Sequence, residues 1–230
     1  MAPFLIALGV FLVLHTVPAM PGIRAALVTR LGRKTYLAIY SLVSVGVLAW
    51  MFQAALAMDF VVLWEPAAWQ GWITLVTAPV GLFLVLAGLF SINPLSVTVR
   101  SGSGEPGAIT AVTRHPVLWG FWLWAVGHML PNGDLRSLVL FGSLALFAAG
   151  GIAMTERRGR RRLGRAWAQL AASTSIVPFA AVVSGRARLR VDLVMVAAAV
   201  STVLTTLWLL AGGHRVMVGA DPLLLALPPQ

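Results

Sequence analysis

The sequence of 230 residues contains no cysteine and few charged side chains. Without cysteine, the chain forms no disulfide, thiolate metal site, iron–sulfur cluster or cysteine nucleophile, so any metal must be held by His, Asp, Glu or Met. Charged residues make up 10% of the chain, whereas about a quarter is usual in a soluble domain. The 59% of hydrophobic residues and the mean hydropathy of +0.89 therefore predict a membrane protein.

Six uncharged runs separate the segments that hold nearly every charge. The runs are 3–20, 36–58, 72–92, 117–131, 137–154 and 193–213. A transmembrane helix needs about 20 apolar residues. The pattern therefore predicts an all-α fold, a polytopic transmembrane bundle of about six spans. The run 117–131 is short for a full crossing, so we expect it to be tilted, partly buried among its neighbours or extended upstream.

Basic residues are concentrated in alternate loops. The loops 21–35, 93–116 and 155–192 hold 15 of the 17 Lys and Arg residues, whereas the opposite side has only Arg136 and Arg215. Lys and Arg accumulate on the cytoplasmic side of a membrane. The distribution predicts cytoplasmic basic loops, both termini on the non-cytoplasmic side, and a multi-pass protein of the bacterial inner (cytoplasmic) membrane.

The same sorting explains the net charge of +10. Its densest part is a run of arginines, which we interpret as an anchor against anionic lipid headgroups. The run comprises Arg157, Arg158, Arg160, Arg161, Arg162 and Arg165. No fold or aromatic platform for nucleic acid accompanies it, so we expect membrane lipid as a partner and no nucleic acid.

Histidines are the main ionisable candidates inside the runs, where such side chains are costly and tend to be functional. His15 lies in the first run, His115 opens the fourth, and His128 lies near its end. One imidazole alone is satisfied by a hydrogen bond between helices, whereas two on different helices are what a bis-histidine haem needs. We interpret His214, which follows the last run, as an interfacial residue.

Depth leaves the choice of partner for His15 open. His15 lies toward the cytoplasmic end of its run, while His128 lies roughly 20 Å past that end of the fourth run at 1.5 Å per residue. Two straight crossings would not bring them level. The pair requires a tilted fourth segment, a fourth segment that begins outside the hydrocarbon, or His115 in place of His128. All three histidines therefore remain candidate metal ligands.

Three stretches together resemble the NnrU family, bacterial membrane proteins associated with denitrification, and the related zeta-carotene isomerases. The first stretch comprises His15, Pro18, Arg24, Gly32, Tyr36 and Tyr40-Ser41; the second comprises Asn93, Thr113-Arg114-His115-Pro116, Gly120, Trp124, His128 and Asn132-Gly133; the third comprises Glu156-Arg157-Arg158, Gly164, Trp167 and Thr174–Phe179. The resemblance covers residues 1–185 and leaves 186–230 as an additional span and tail. It implies a haem b held at the positions of His15 and His128. The isomerase's extra histidine between the second and third spans has no counterpart here, which leaves a carotenoid substrate open.

The second and third stretches are also similar to the isoprenylcysteine carboxyl methyltransferase and phospholipid methyltransferase group. That resemblance implies S-adenosylmethionine bound near Arg114, His115 and Glu156. Two positions depart from it, since Leu118 replaces a tyrosine and Thr155 replaces the first of two glutamates.

Our sequence-based hypothesis is an NnrU-type membrane protein that binds haem b through His15 and His128. With both axial positions filled, one ligand must leave on reduction or substrate arrival, so we expect a redox-gated, isomerase-like enzyme acting on a hydrophobic small molecule. Arg24 and Arg114 are the predicted partners of the haem propionates. The alternatives are a non-catalytic accessory factor for denitrification reductases and an S-adenosylmethionine-dependent membrane methyltransferase.

Overall fold

The structure, a computed structural model, describes residues 1–17, 20–100, 102 and 104–227. Within these ranges the only extended pairing is an isolated antiparallel bridge between Val62 and Asp134, and all other regular structure is helical. The predicted all-α class is therefore confirmed. Pro18, one of the motif residues, lies outside the described residues together with Ala19 of the predicted run 3–20.

Helices follow one another along the whole described chain. They are α1 (Ala2–Thr16), α2 (Pro21–Leu31), α3 (Arg33–Leu56), α4 (Ala68–Phe90), α5 (Ile109–Val112), α6 (Pro116–Met129), α7 (Leu135–Leu163), α8 (Arg165–Ala172), α9 (Ala180–Val183), α10 (Leu193–Trp208), a π-helical turn (Leu209–Gly213), α11 (His214–Val218) and α12 (Leu223–Ala226).

Among the described residues, four helical segments are long and apolar enough to cross a membrane: α3, α4, α7 and the segment Leu193–Val218. The shorter α1 is also apolar. The helix α6 has 14 residues, as expected for the short fourth run. Each of the six predicted runs thus contains a helix, which supports the helical membrane bundle.

The helix α7 continues well beyond the end of the predicted span. The uncharged run stops at residue 154, but the helix ends at Leu163 and carries Arg157–Arg162 on its last turns. Hydropathy marks where the apolar stretch ends, whereas arginine is a good helix former and its charge is favourable near a helix C-terminus. The basic segment therefore begins as part of the long helix.

Three other features differ from the predicted runs and loops. The helix α1 ends at Thr16, and the predicted loop 21–35 contains α2, which has proline in its first turn. Gly32 then adopts φ 75°, a conformation that suits glycine and separates α2 from α3. The last run also continues past residue 213, because the chain passes through the π-helical turn into α11.

The described chain divides into two compact units. The first contains residues 1–63 and 134–140, and in it α1 packs against α3 around buried Phe4, Phe11 and Met51. At the start of α7, the Asp134 carboxylate accepts hydrogen bonds from the backbone N–H and the hydroxyl of Ser137, at 3.0 and 2.7 Å.

The second unit contains residues 64–133 and 141–230, and its most extensive helix pair is α4 with α6. The two backbones cross at Gly81 and Gly120, where a Cβ on either residue would overlap the other's carbonyl oxygen. Near the other end of α6, the Thr74 hydroxyl donates to the Gly127 carbonyl at 2.6 Å. Glycine at such crossings permits close helix packing and polar contacts. The helices α10 and α12 also pack on α4.

Candidate functional site

His15 lies one residue before the end of α1, in the first unit. Its Nδ1–H donates to the carbonyl of Phe11, one turn earlier, at 2.8 Å. The imidazole packs against the Phe11 ring at 4.2 Å between centroids and against the Tyr40 ring of α3 at 5.9 Å. Because Nδ1 carries the proton in this arrangement, Nε2 is the basic nitrogen of the neutral ring.

His128 repeats this arrangement in the second unit. Its Nδ1–H donates to the carbonyl of Trp124, four residues earlier, at 2.8 Å. The ring lies 4.7 Å from the Trp124 ring and 5.4 Å from that of Phe141, between centroids. His15 and His128 therefore share a tautomer fixed by a backbone carbonyl, a basic Nε2 and aromatic neighbours.

His214 is a third histidine that the sequence did not lead us to expect at this place. Its imidazole lies 6.5 Å from that of His128 between centroids, with the ring planes 21° apart. Its Nδ1–H donates to the carbonyl of Ala220 at 2.7 Å, which again leaves Nε2 as the basic nitrogen. The second unit thus contains two neighbouring imidazoles with matching tautomers.

Arg114 lies on a loop between α5 and α6 but is buried. Its guanidinium donates to Glu156 Oε1 at 2.8 Å, to the Thr174 hydroxyl at 2.9 Å and to the Ala171 carbonyl at 3.1 Å. These contacts give Arg114 different partners from the haem propionate that we predicted. Arg24, the other predicted propionate partner, is exposed on α2.

His115 is fully buried beside Arg114, with both ring nitrogens engaged. Its Nε2–H donates to Glu156 Oε1 at 2.9 Å, and its Nδ1 accepts from the Ser96 hydroxyl at 2.8 Å. Burial lowers the pKa of His115 and Arg114 lowers it further, against the opposing effect of Glu156. The ring is therefore neutral near pH 7. Since neither nitrogen remains for iron, these contacts disfavour the alternative in which His115 partners His15.

The same cluster joins segments that are distant along the chain. The Asn93 amide donates to the Arg114 carbonyl at 3.0 Å, and the Arg114 N–H donates to the Ser175 carbonyl at 2.7 Å. The centroid of the Trp167 ring lies 5.1 Å from the guanidinium carbon of Arg114 and 4.2 Å from that of Arg160. The cluster thus ties the loop before α6 to α7, to α8 and to the segment after α8.

A groove of about 580 Å³ opens beside this cluster, within the second unit. Its walls come from α6, from one face of α7 and from the segment after α8. The lining residues are Trp119, Trp122, Ala149, Ile152, Ala153, Glu156, Arg157, Arg160 and Ile176. The volume lies in the range of small-molecule sites. Aromatic and aliphatic side chains line one end, and charged side chains line the other.

Sequence reasoning selected His15, His128 and the residues of the Arg114 cluster, but it missed Ser96 and the position of His214. Ser96 carries no signal in an isolated sequence. For His214, a signal was present in the preceding pair Gly212-Gly213. Gly212 adopts φ 112°, which interrupts the helix just before His214.

Comparisons with known proteins place these observations in a family. No solved structure matches the chain. The chain is 33% identical over 84 residues to the chloroplastic 15-cis-zeta-carotene isomerase of Zea mays. The alignment covers 36% of this chain and 23%, about a quarter, of that relative. The family model described as NnrU protein matches residues 3–222, which extends past residue 185 and includes the last long helix. The chain therefore belongs to the NnrU family of membrane proteins.

Proposed function

We propose that this membrane protein binds haem b through His15 and His128 and acts as a redox-gated isomerase on a double bond of a hydrophobic molecule. One observation carries the proposal: both histidines have the same tautomer, fixed by a carbonyl four residues earlier at 2.8 Å. The relationship to a protein named 15-cis-zeta-carotene isomerase supports the reaction class. We further propose the bacterial inner membrane as its location, with the basic loops on the cytoplasmic side.

The chain's own residues prepare the two ligands. Each Nδ1–H···O=C bond fixes the ring orientation and raises the basicity of Nε2, as second-shell partners do in metal sites. The rings of Phe11 and Tyr40 beside His15, and of Trp124 and Phe141 beside His128, supply flat apolar surfaces suited to a porphyrin.

Haem iron, when bound, supplies a centre whose axial coordination responds to its redox state. Both imidazoles are partly buried beside aromatic rings. Arg24 remains available on the surface as a propionate partner.

Absorption spectra of the purified chain, expressed with sufficient haem, test the proposal. We expect a Soret band that shifts on reduction and is lost or strongly altered in both His15→Ala and His128→Ala. A preparation without a Soret band would refute haem binding. A band that survives unchanged in both variants would refute the ligand assignment.

His214→Ala is the matched control for the ligand pair, because His214 lies beside His128 with the same tautomer. We expect it to retain the oxidised spectrum. If His214→Ala loses the band while His15→Ala keeps it, the ligands are His128 and His214. Gel filtration of each variant distinguishes loss of haem from loss of the fold.

A second candidate function is methyl transfer from S-adenosylmethionine. The three residues that the methyltransferase resemblance implies lie in contact, which favours this function. Glu156 Oε1 is 2.8 Å from Arg114 Nη1 and 2.9 Å from His115 Nε2. Calorimetric titration with S-adenosylmethionine tests it, and binding that is lost in Glu156→Gln would support it. If the chain binds neither haem nor S-adenosylmethionine, the accessory role in denitrification becomes the better hypothesis.

A further inference from the structure

The groove beside Glu156 has the features of a binding site that is separate from the two proposed haem ligands. Its apolar end is formed by Trp119 and Trp122 of α6 and by Ile152 of α7. About one to two turns along the same face of α7, Glu156, Arg157 and Arg160 form the polar end. A single groove thus offers an apolar wall next to charged groups, which suits an amphipathic molecule.

Glu156 contributes a buried oxygen that lacks a donor. Its residue is 7% exposed, and its Oε1 accepts from both Arg114 and His115. Its Oε2 has no hydrogen-bond partner among the described residues. Arg160 Nη2 is 3.7 Å from this oxygen, beyond hydrogen-bond distance. A buried carboxylate oxygen normally has a partner, so a ligand that donates a hydrogen bond at this end of the groove would satisfy Oε2.

The charge at this end of the groove favours an anion. Arg114 already balances Glu156 at 2.8 Å. Arg157 and Arg160 are exposed and line the groove, so they add two positive charges against the single carboxylate of Glu156, which Arg114 already pairs. Guanidinium groups are well suited to phosphate. A cationic donor such as an ammonium group would add to the existing positive charge, whereas a neutral hydroxyl donor would not.

We propose that the groove binds an anionic phospholipid with a hydroxylated headgroup, of the phosphatidylglycerol class. The phosphate pairs with Arg157 and Arg160, a headgroup hydroxyl donates to Glu156 Oε2, and an acyl chain lies along Trp119, Trp122 and Ile152. The site lies on a helix long enough to cross a membrane, where lipid is the surrounding solvent. The proposal does not depend on haem.

Two short-chain lipids test the hydroxyl contact. Dioctanoyl phosphatidylglycerol and dioctanoyl phosphatidylmethanol have the same chains and charge, but only the first has headgroup hydroxyls. Calorimetric titration of the full chain in a neutral detergent should show about tenfold tighter binding of phosphatidylglycerol, since a hydrogen bond to a charged group contributes a factor of this order. Equal affinities would overturn the proposal, and so would equal binding of phosphatidylcholine.

Protein variants test the location. Ala153→Trp places a large side chain in the groove from an exposed position and should abolish the binding. Arg157→Ala should weaken it, whereas the adjacent Arg158→Ala should not, because Arg158 does not line the groove. Unchanged binding in Ala153→Trp would refute the site. Free glycerol 3-phosphate that competes as well as the lipid would refute the role of the apolar wall, and displacement by S-adenosylmethionine would assign the groove to a nucleoside cofactor instead.

Discussion

Replacing Glu156 by alanine should destabilise the protein strongly, because it removes the only carboxylate that the structure gives Arg114 within the described residues. Arg114 is 6% exposed, and its Nη1 lies 2.8 Å from Glu156 Oε1. Removing one partner of a buried ion pair leaves an uncompensated charge, at a cost of about 3–5 kcal/mol. His115 loses its acceptor in the same variant. Since both contacts are made by one oxygen, we expect the free energy of unfolding to decrease by an amount near the upper end of that range.

A double-mutant cycle separates the lost pairing from other effects of the substitution. The variants are Glu156→Leu, Arg114→Met and the double variant, in which two apolar side chains replace the pair. Breaking a buried pair costs more than replacing both members, so the double variant should be more stable than either single variant. Their coupling energy should be about 2 kcal/mol or more, within the range for contacting residues.

The assay is unfolding of the purified chain in mixed micelles by increasing SDS, followed by circular dichroism. Arg160→Ala is the control, because its side chain is 62% exposed and 3.7 Å from Glu156 Oε2. An exposed pair contributes about 0–1 kcal/mol. If Glu156→Ala costs no more than Arg160→Ala, the cluster around Arg114 does not stabilise the second unit.

Three further predictions concern stability measured in the same way. Burial lowers the pKa of His115 below its ordinary value of 6.5, so on acidification the unfolded chain binds a proton more readily than the native chain does. The free energy of unfolding should therefore fall as the pH drops below about 6.5, and it should fall less in His115→Gln. The same pH dependence in the variant and in the unaltered chain would contradict this. Gly120→Ala should cost about 1–3 kcal/mol, because its Cβ would overlap a carbonyl of α4, whereas Gly46→Ala, with open space around it, should not destabilise the chain. Asp192→Ala should cost about 0.5–2 kcal/mol, because the Asp192 carboxylate caps α10 at 2.8 Å; an unchanged unfolding midpoint would refute the cap.

The long helices were predicted well because each one contains an uninterrupted apolar run of many residues, which can be read without knowledge of tertiary contacts. The predicted span ends at residue 154, whereas α7 continues to Leu163, since charge ends an apolar run but not a helix. The pattern also predicted no helix in the first basic loop, where α2 forms between Pro21 and Leu31. The limits of helices therefore depend on backbone signals such as proline and glycine as well as on hydropathy.

The candidate site was predictable only in part. His15 and His128 stand out because ionisable side chains are rare in apolar runs, and their assignment as haem ligands stays a prediction. The motif around Arg114 pointed to Glu156, although the two residues are 42 positions apart. Neither periodicity nor composition predicts the contact between His128 and His214. The contact depends on how the chain turns after Trp208 and on the packing of the second unit.

The close crossing of α4 and α6 has a consequence for the order in which the protein is assembled. At 14 residues, α6 is about 21 Å long and too short to cover the roughly 30 Å hydrocarbon core by itself. Its glycine-lined face requires the backbone of α4, which the ribosome has already synthesised. We therefore expect α6 to enter the bilayer as the second arm of a hairpin with α4 instead of as an independent insertion event. Mutations at the crossing would then reduce the yield of inserted protein before they affect the mature protein.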